Sequence, residues 1–487
     1  MKISAIRSVV GLSLLVTLLA ACKKDYNFKD GYDTPAAIDT VGVGGIDTSM
    51  FKIDSSGFPD ARKFPGLVSV VEPRLNNVTV TVDLDYKKVS PLIRISVPPG
   101  NWMSTGYYAA PGELVKIDVP AGMEGLAIQI GSHTDNVNGK LPQLRAGIIT
   151  TQKVILPGVN YIRNIYGGLI YLIPPGPAKR KLTVTLSNVC KSPDFVLGES
   201  TDAAWKDQVR HSQVPVLELR GKRFIMTLYR KVLLGMLDNF SADAVVKKWD
   251  EVVEKDYHEW YGLSDNPADP IDQAPGTPHR FVLDIQISLG SGHNGYPCMA
   301  YLDWHSDFLD TAMINQGASW GPFHELGHNF QMNDMWSWSG ADGLGETSNN
   351  LFVFQVAQRH GVKPPRIYDA GQDFVQPALD WAATSGTSKR FSSVTDVFQR
   401  LVPFVQLFQR YGYGMMGYIC KEGRHEPRAS YINEVKKNFF FVKASNYAGV
   451  NLKPFFDHWG IVVSPSAVAE VSQLPLLTEQ VWTNDIR

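Results

Sequence analysis

The chain has 487 residues, with 47 basic and 48 acidic side chains and a formal net charge of −1. That balance argues against a nucleic-acid binder, which needs a basic excess to neutralise phosphates. Hydrophobic residues at 44% and charged residues at 20% describe a globular chain rather than a disordered one, and about 150 residues per domain gives roughly two to four domains.

Residues 1–22 place Lys2 and Arg7 ahead of an apolar run from Val9 to Ala20, too short to span a bilayer comfortably. They end in Leu19-Ala20-Ala21-Cys22, which resembles the lipobox of bacterial lipoproteins, where cleavage precedes the cysteine and its thiol is lipidated. A plain secretory signal with a coincidental cysteine is the alternative. No other apolar run approaches the length of a membrane span. The expectation is therefore a body that folds in water and is anchored through lipid on Cys22, with the outer membrane as the expected membrane. Besides Cys22, the chain has Cys190, Cys298 and Cys420 and no CxxC pair, so a disulfide framework and a thiolate zinc site are both disfavoured.

Residues 23–66 are rich in Gly, Asp, Ser and Thr and read as a flexible tether, with enough apolar residues for partial docking. Residues 67–190 read as all-β and sandwich-like. Val78, Val80, Val82 and Leu84 alternate with polar residues, as do Val115, Ile117 and Val119, then Leu126, Ile128 and Ile130, then Leu182, Val184 and Leu186. Residues 191–487 read as a mixed, mainly helical catalytic domain, so the fold class is α+β. Within it a helix is expected over 243–262 and a strand over 281–289, with apolar residues at every second position. A further helix is expected over 394–410, kinked at Pro403.

The chemistry concentrates in Trp320-Gly-Pro-Phe-His-Glu-Leu-Gly-His-Asn-Phe-Gln331, which contains an HExxH motif at His324, Glu325 and His328. Two histidines four apart lie on one face of a helix, so both imidazoles can reach one Zn²⁺. Glu325 beside them can take a proton from a water that the metal acidifies. Ser319 can cap this helix and Pro322 falls in its first turn, where no N–H is needed. A third ligand is available 18 residues after His328, in Gly345-Glu346-Thr-Ser-Asn-Asn350. A helix from there to His360 puts Glu346 in its first turn, facing the metal. Asn350, one turn on, can orient a ligand from behind. The competing reading is a structural histidine pair and a surface glutamate.

The run HELGHNFQ, a tryptophan soon after it, and GETSNN together resemble the M60-like (enhancin-like) zinc metallopeptidases of the gluzincin type. The segments Asp284–Ser288, His293–Met299, Thr105–Glu113, Gly131–Asp135 and Tyr166–Tyr171 extend the resemblance over about residues 100–415. It implies a zincin-type catalytic domain with one Zn²⁺ held by His324, His328 and Glu346, and Glu325 as general base and then general acid. It also implies proteolysis of extracellular glycoproteins, often O-glycosylated and mucin-like.

Other residues invite a role in substrate binding. Trp336 and Trp338 belong to a group of four tryptophans within 35 residues and could stack on a sugar ring, packing being the alternative. His293 and Tyr296 precede the active helix and could line the cleft or donate to the developing oxyanion. Three functional readings follow: a zinc endopeptidase for glycoproteins, a glycan-binding surface lipoprotein whose peptidase fold is inactive, and a zinc peptidase for unglycosylated peptides.

Overall fold

The computed structural model describes residues 59–364, 373–384 and 388–487. The expected signal peptide, the lipidation site Cys22 and residues 23–58 of the expected tether lie outside the described residues. The end of that tether is docked rather than free. A short helix, Pro59–Lys63, leads into Phe64, which is buried edge-on against His133, with ring centroids 4.7 Å apart.

The alternation read over 67–190 forms a two-sheet sandwich. Its strands are β1 (Val78–Asp83), β2 (Met103–Ala109), β3 (Leu114–Val119), β4 (Ala127–Ile130), β5 (Thr151–Val154), β6 (Gly158–Arg163), β7 (Gly168–Ile173), β8 (Lys181–Ser187) and β9 (Cys190–Lys191). One sheet has the order β1-β8-β3-β6 and the other β5-β4-β7-β2-β9. The register sets Val80 opposite Val184 and Val82 opposite Leu182. These side chains share one core with Val115, Ile117, Ile128, Ile130, Ile170 and Leu172 from both sheets, as the period-two pattern requires.

A six-stranded mixed sheet follows: β10 (Phe195–Val196), β11 (Val216–Arg220), β12 (Phe224–Tyr229), β13 (His279–Asp284), β14 (Gly292–His293) and β15 (Cys298–Tyr301), in the order β10-β11-β12-β13-β15-β14. β13 lies between parallel partners β12 and β15, and all six of its residues are buried. The strand expected over 281–289 therefore stops at Asp284, because the carboxylate there leaves the ladder to bind Arg145. Both of its oxygens accept from Arg145 Nε, at 3.0 and 3.0 Å, and both side chains are fully buried. This pair ties the sandwich loop 131–150 to the end of the six-stranded sheet. Gln286 reinforces it, accepting from Leu144 N–H and donating to Pro142 O.

Helices cover the sheet and build the C-terminal part. Helix α1 (Ala242–Val252) buries Val245, Val246, Trp249 and Val252 and continues as a π-helical stretch, Val253–Glu259. Four further helices matter below: α2 (Trp320–Asn329), α3 (Gly345–Ser348), α4 (Leu351–Arg359) and α5 (Val402–Tyr411). Pro403 does not kink a long helix. It sits in the first turn of α5, where its missing N–H costs nothing, and residues 394–398 before it are not helical. Cys190, Cys298 and Cys420 are buried and free.

Because the Arg145–Asp284 pair is fully desolvated, removing one partner strands a buried charge. Arg145→Met should cost about 3–5 kcal/mol in urea unfolding. Arg210→Met, in the exposed pair with Asp238, should cost less than about 1 kcal/mol. Equal losses would contradict the clamp.

Candidate metal centre

Helix α2 is anchored by Phe323, Leu326 and Phe330, all buried. Pro322 lies in its first turn as expected. Ser319 occupies the N-cap position, but its hydroxyl makes no capping bond and is buried without a partner. His324 and His328 project from one face, with ring centroids 4.7 Å apart and planes near perpendicular, and their Nε2 atoms 3.2 Å apart.

Glu346 comes from α3, and its Oε2 lies 3.2 Å from His324 Nε2 and 3.3 Å from His328 Nε2. The helix expected from 345 to His360 is broken at Asn349-Asn350, and α4 starts afresh at Leu351. The break follows from side chains that bond locally instead of pointing out. Asn350 Nδ2 donates back to Glu346 O (2.9 Å), and the Asn349 amide nitrogen lies 3.0 Å from both His324 Nδ1 and His328 Nε2. The two segments meet backbone to backbone. A Cβ on Gly327 would stand 2.4 Å from the Asn349 carbonyl oxygen.

Do these groups fit a metal? Two imidazole nitrogens and one carboxylate oxygen form a nearly equilateral triangle of 3.2–3.3 Å edge. A tetrahedral site with bonds of about 2.0–2.1 Å has ligand–ligand edges of about 3.3–3.4 Å. The donor set and its spacing therefore fit one Zn²⁺ with a fourth position open. Glu346, with its side chain 58% exposed, marks the open side. Glu325 completes the cluster: ligand-type atoms of His324, Glu325 and His328 lie within 4.8 Å of one another.

Behind the histidines, two amide oxygens select the tautomer. Asn350 Oδ1 lies 2.9 Å from His324 Nδ1, and Gln331 Oε1 lies 3.0 Å from His328 Nδ1. An Nδ1–H donating to each oxygen leaves both Nε2 lone pairs directed at the centre of the triangle, the form that binds a metal. Gln331 is itself fixed, donating to Gly345 O and Ser348 Oγ. Trp320 donates from its indole to Asn350 Oδ1 (2.9 Å) and lays its ring 4.5 Å from that of His324.

Burial and neighbouring charges act in opposite directions on the two carboxyls. Burial pushes the Glu325 carboxyl above its ordinary value, while His324 and His328 pull it down and Glu346 pushes it up. Hydrogen bonds from His324 and His328 hold Glu346 well below the usual carboxylate range. Burial would lower His328, but its bonds to Glu346 and Gln331 raise it overall. The result is an anionic carboxylate in the triangle and, beside it, a buried carboxylate with raised basicity.

Asn350 thus stands where the spacing put it, behind a histidine. Of the candidate substrate contacts, His293 lies close enough to Glu325 for each to act on the other's charge, while Tyr296, Trp336 and Trp338 are held elsewhere. His293 has both ring nitrogens engaged, Nε2 with Asp135 Oδ2 (2.8 Å) and Nδ1 with Asn294 O (2.9 Å), so neither is free for an oxyanion. The Tyr296 hydroxyl accepts from Arg280 Nε (3.2 Å), and its ring packs against Trp102. Trp336 and Trp338 are 1% exposed, in a cluster with Phe404 and Phe440, and cannot stack on a sugar. Sequence reasoning passed over Gln331, Trp320 and Asn349. Gln331 lies three residues after His328, at helical spacing for that contact.

Comparison with known proteins bears on this centre. Residues 188–460 match the family model described as Peptidase M60, enhancin and enhancin-like, and residues 87–187 match the N-terminal domain of M60-like peptidases. The first match covers more than half of the chain, which therefore belongs to the M60 peptidase family. TRPM8 channel-associated factor 2 of Bos taurus is 28% identical over 390 residues, covering 77% of this chain and 40% of that protein. The chain thus spans about two fifths of the length of that relative. The ZmpB metallopeptidase of Clostridium perfringens shares the fold, with a TM-score of 0.68 at 16% identity over 84% of each chain. So does the M60 catalytic domain of ZmpC from the same organism, solved in complex with the sialyl T antigen, with a TM-score of 0.65 at 15% identity over 84% of this chain and 82% of that one.

If Gln331 orients His328, Gln331→Ala should weaken zinc binding by about 10–100-fold, read by competition with a chromophoric chelator. An unchanged affinity would remove Gln331 from the centre.

Proposed function

We propose that this M60-family chain is a zinc-dependent endopeptidase acting on extracellular glycoproteins, with mucin-like O-glycosylated chains as the expected class. The observation that carries the reading is the triangle of His324 Nε2, His328 Nε2 and Glu346 Oε2 with Glu325 buried beside it. A bare histidine pair would need neither the third donor at tetrahedral spacing nor amide oxygens on both Nδ1 atoms.

In this mechanism His324, His328 and Glu346 hold the metal. Zinc bound there supplies Lewis acidity toward the scissile carbonyl and lowers the pKa of a water. Glu325 takes the proton from the attacking water as general base and hands it to the departing amine as general acid. Burial suits it to both steps, because a raised pKa strengthens the base and eases the return of the proton. Asn350 and Gln331 fix the ring orientation of the two imidazoles. No side chain becomes covalently attached to the substrate.

The glycoprotein part draws on the ZmpC catalytic domain, solved with a sialylated glycan. Delivery to a membrane through lipid on Cys22 fits an extracellular substrate and belongs to the same proposal. A second reading has one observation in its favour: the mammalian relative is named a channel-associated factor. Under it the chain is a binding protein on a peptidase fold.

Digestion of a mucin-type glycoprotein by the form lacking residues 1–22, with and without chelator, separates the two. Chelator-sensitive cleavage is expected, falling about 10²–10⁴-fold in Glu325→Gln while zinc stays bound. Wild-type rates in Glu325→Gln would remove Glu325 from the chemistry, and intact substrate with every protein would leave the binding reading. Cleavage that survives enzymatic deglycosylation would keep the peptidase and discard the sugar requirement.

A further inference from the structure

β14 is two residues long and forms one edge of the six-stranded sheet, in contact with α2. So short a strand needs holding, and each of its residues is held. Gly292 packs on Trp304, whose ring also covers Gly321 in the first turn of α2. A Cβ would stand 2.4 Å from that ring at Gly292 and 2.5 Å from it at Gly321. His293 is held by the sandwich: its Nε2 lies 2.8 Å from Asp135 Oδ2, which also accepts from Ser288 N–H (2.6 Å). Arg145 fixes the backbone of Asp135, donating from Nη2 to its carbonyl oxygen (3.1 Å).

The partners of His293 fix its charge. Nδ1 faces Asn294 O (2.9 Å) and Nε2 faces a carboxylate oxygen, and both oxygens only accept. A neutral imidazole has one N–H and would leave a lone pair against one of them, whereas the imidazolium donates to both. Burial alone would lower the imidazole, but its bonds to Asp135 and Asn294 O, with the charges of Asp135 and Glu325, raise it overall. Those two carboxylates are the charged groups that act on it. Ser288 on the preceding segment and Met299, its partner on β15, carry no charge. The loop after β14 passes this position on to α2. Asn329, the residue after His328, accepts from Gly295 N–H (3.0 Å) and Asn294 Nδ2 (3.3 Å) and donates to Gly295 O (2.9 Å).

We infer that Asp135 is a positioning residue for the peptidase site: it holds His293 as an imidazolium and thereby seats β14 and the loop after it on Asn329, at the end of the helix that carries His324, Glu325 and His328. A residue of the accessory sandwich thus sets the surroundings of the general base. A single structural hydrogen bond would not need the charge, since a neutral histidine serves one acceptor as well. Two acceptors served at once do need it. The arrangement is therefore present at neutral and mildly acidic pH and is lost as pH rises through the raised value. For its effect on cleavage the inference rests on the peptidase reading and deepens it, while the seating of the loop is read without any substrate.

The test compares the zinc-loaded wild type with Asp135→Asn, which keeps an oxygen for Ser288 N–H and removes the charge. Side-chain nitrogen NMR should show His293 doubly protonated in the wild type at neutral pH, with the proton lost at lower pH in Asp135→Asn. Gly295 N–H should exchange with solvent about tenfold faster in the variant. On a glycopeptide substrate kcat should fall about 10–100-fold at mildly alkaline pH with KM little changed, and much less at mildly acidic pH. Adding Asp135→Asn to His293→Gln should cost nothing further, because Asp135 acts through His293. A neutral His293 in the wild type, unchanged Gly295 exchange, additive losses in the double variant, or wild-type kcat at every pH in Asp135→Asn would each overturn the assignment. The expected NMR and exchange results with no cleavage by the wild type would instead keep Asp135 as the residue that seats the loop and discard the peptidase.

Discussion

The centre depends on one steric condition: α2 and the 346–350 segment must touch backbone to backbone. Gly327 makes this possible, since any side chain there would collide with the Asn349 carbonyl oxygen. Contact at that distance brings Glu346 within 3.3 Å of both histidines and lets Asn350 reach behind His324. Asn349 and Asn350 stand three and four residues after Glu346, so helical spacing already places all three on one face. At the break Asn350 bonds back to Glu346 O, the local side-chain bonding that asparagine favours.

A second constraint joins the sandwich to the six-stranded sheet. Loop 131–150 comes from the accessory sandwich, yet Arg145 is buried against Asp284 at the end of β13, and Asp135 receives His293 Nε2 and Ser288 N–H. A buried ion pair is poor at adding stability but good at fixing a unique arrangement. Here it fixes the end of β13. The sandwich is therefore part of the architecture around the centre, consistent with the paired matches to M60 N-terminal and peptidase models.

How much of this could be read from the residues alone depends on the kind of signal. Period-two alternation located the sandwich strands, because one buried face per strand leaves a direct imprint on the sequence. HExxH spacing brought His324, Glu325 and His328 together, since helix geometry is fixed. The misreadings share a cause: tertiary contacts overriding local pattern. Alternation past Asp284 suggested more strand, but Arg145 captures the carboxylate and the chain turns. Trp336 and Trp338 admitted two readings, a sugar platform or packing, and the aromatic cluster with Phe404 and Phe440 decides for packing. His293 and Tyr296 lay near the motif in sequence, but each is claimed by a residue far from it, Asp135 and Arg280. Gln331 and Asn349 were within reach, one on each side of the centre, but a neutral amide carries no signature that separates a histidine partner from an ordinary polar residue.

The measurement that bears most directly on the centre is zinc K-edge absorption spectroscopy of the zinc-loaded protein, with the metal content determined in parallel. The account predicts one zinc per chain, bound by two imidazole nitrogens and a carboxylate oxygen at about 2.0–2.2 Å, with no sulfur in the shell. Glu346→Gln should alter that shell. A thiolate distance near 2.3 Å, a shell unchanged in Glu346→Gln, or the absence of stoichiometric zinc would contradict it.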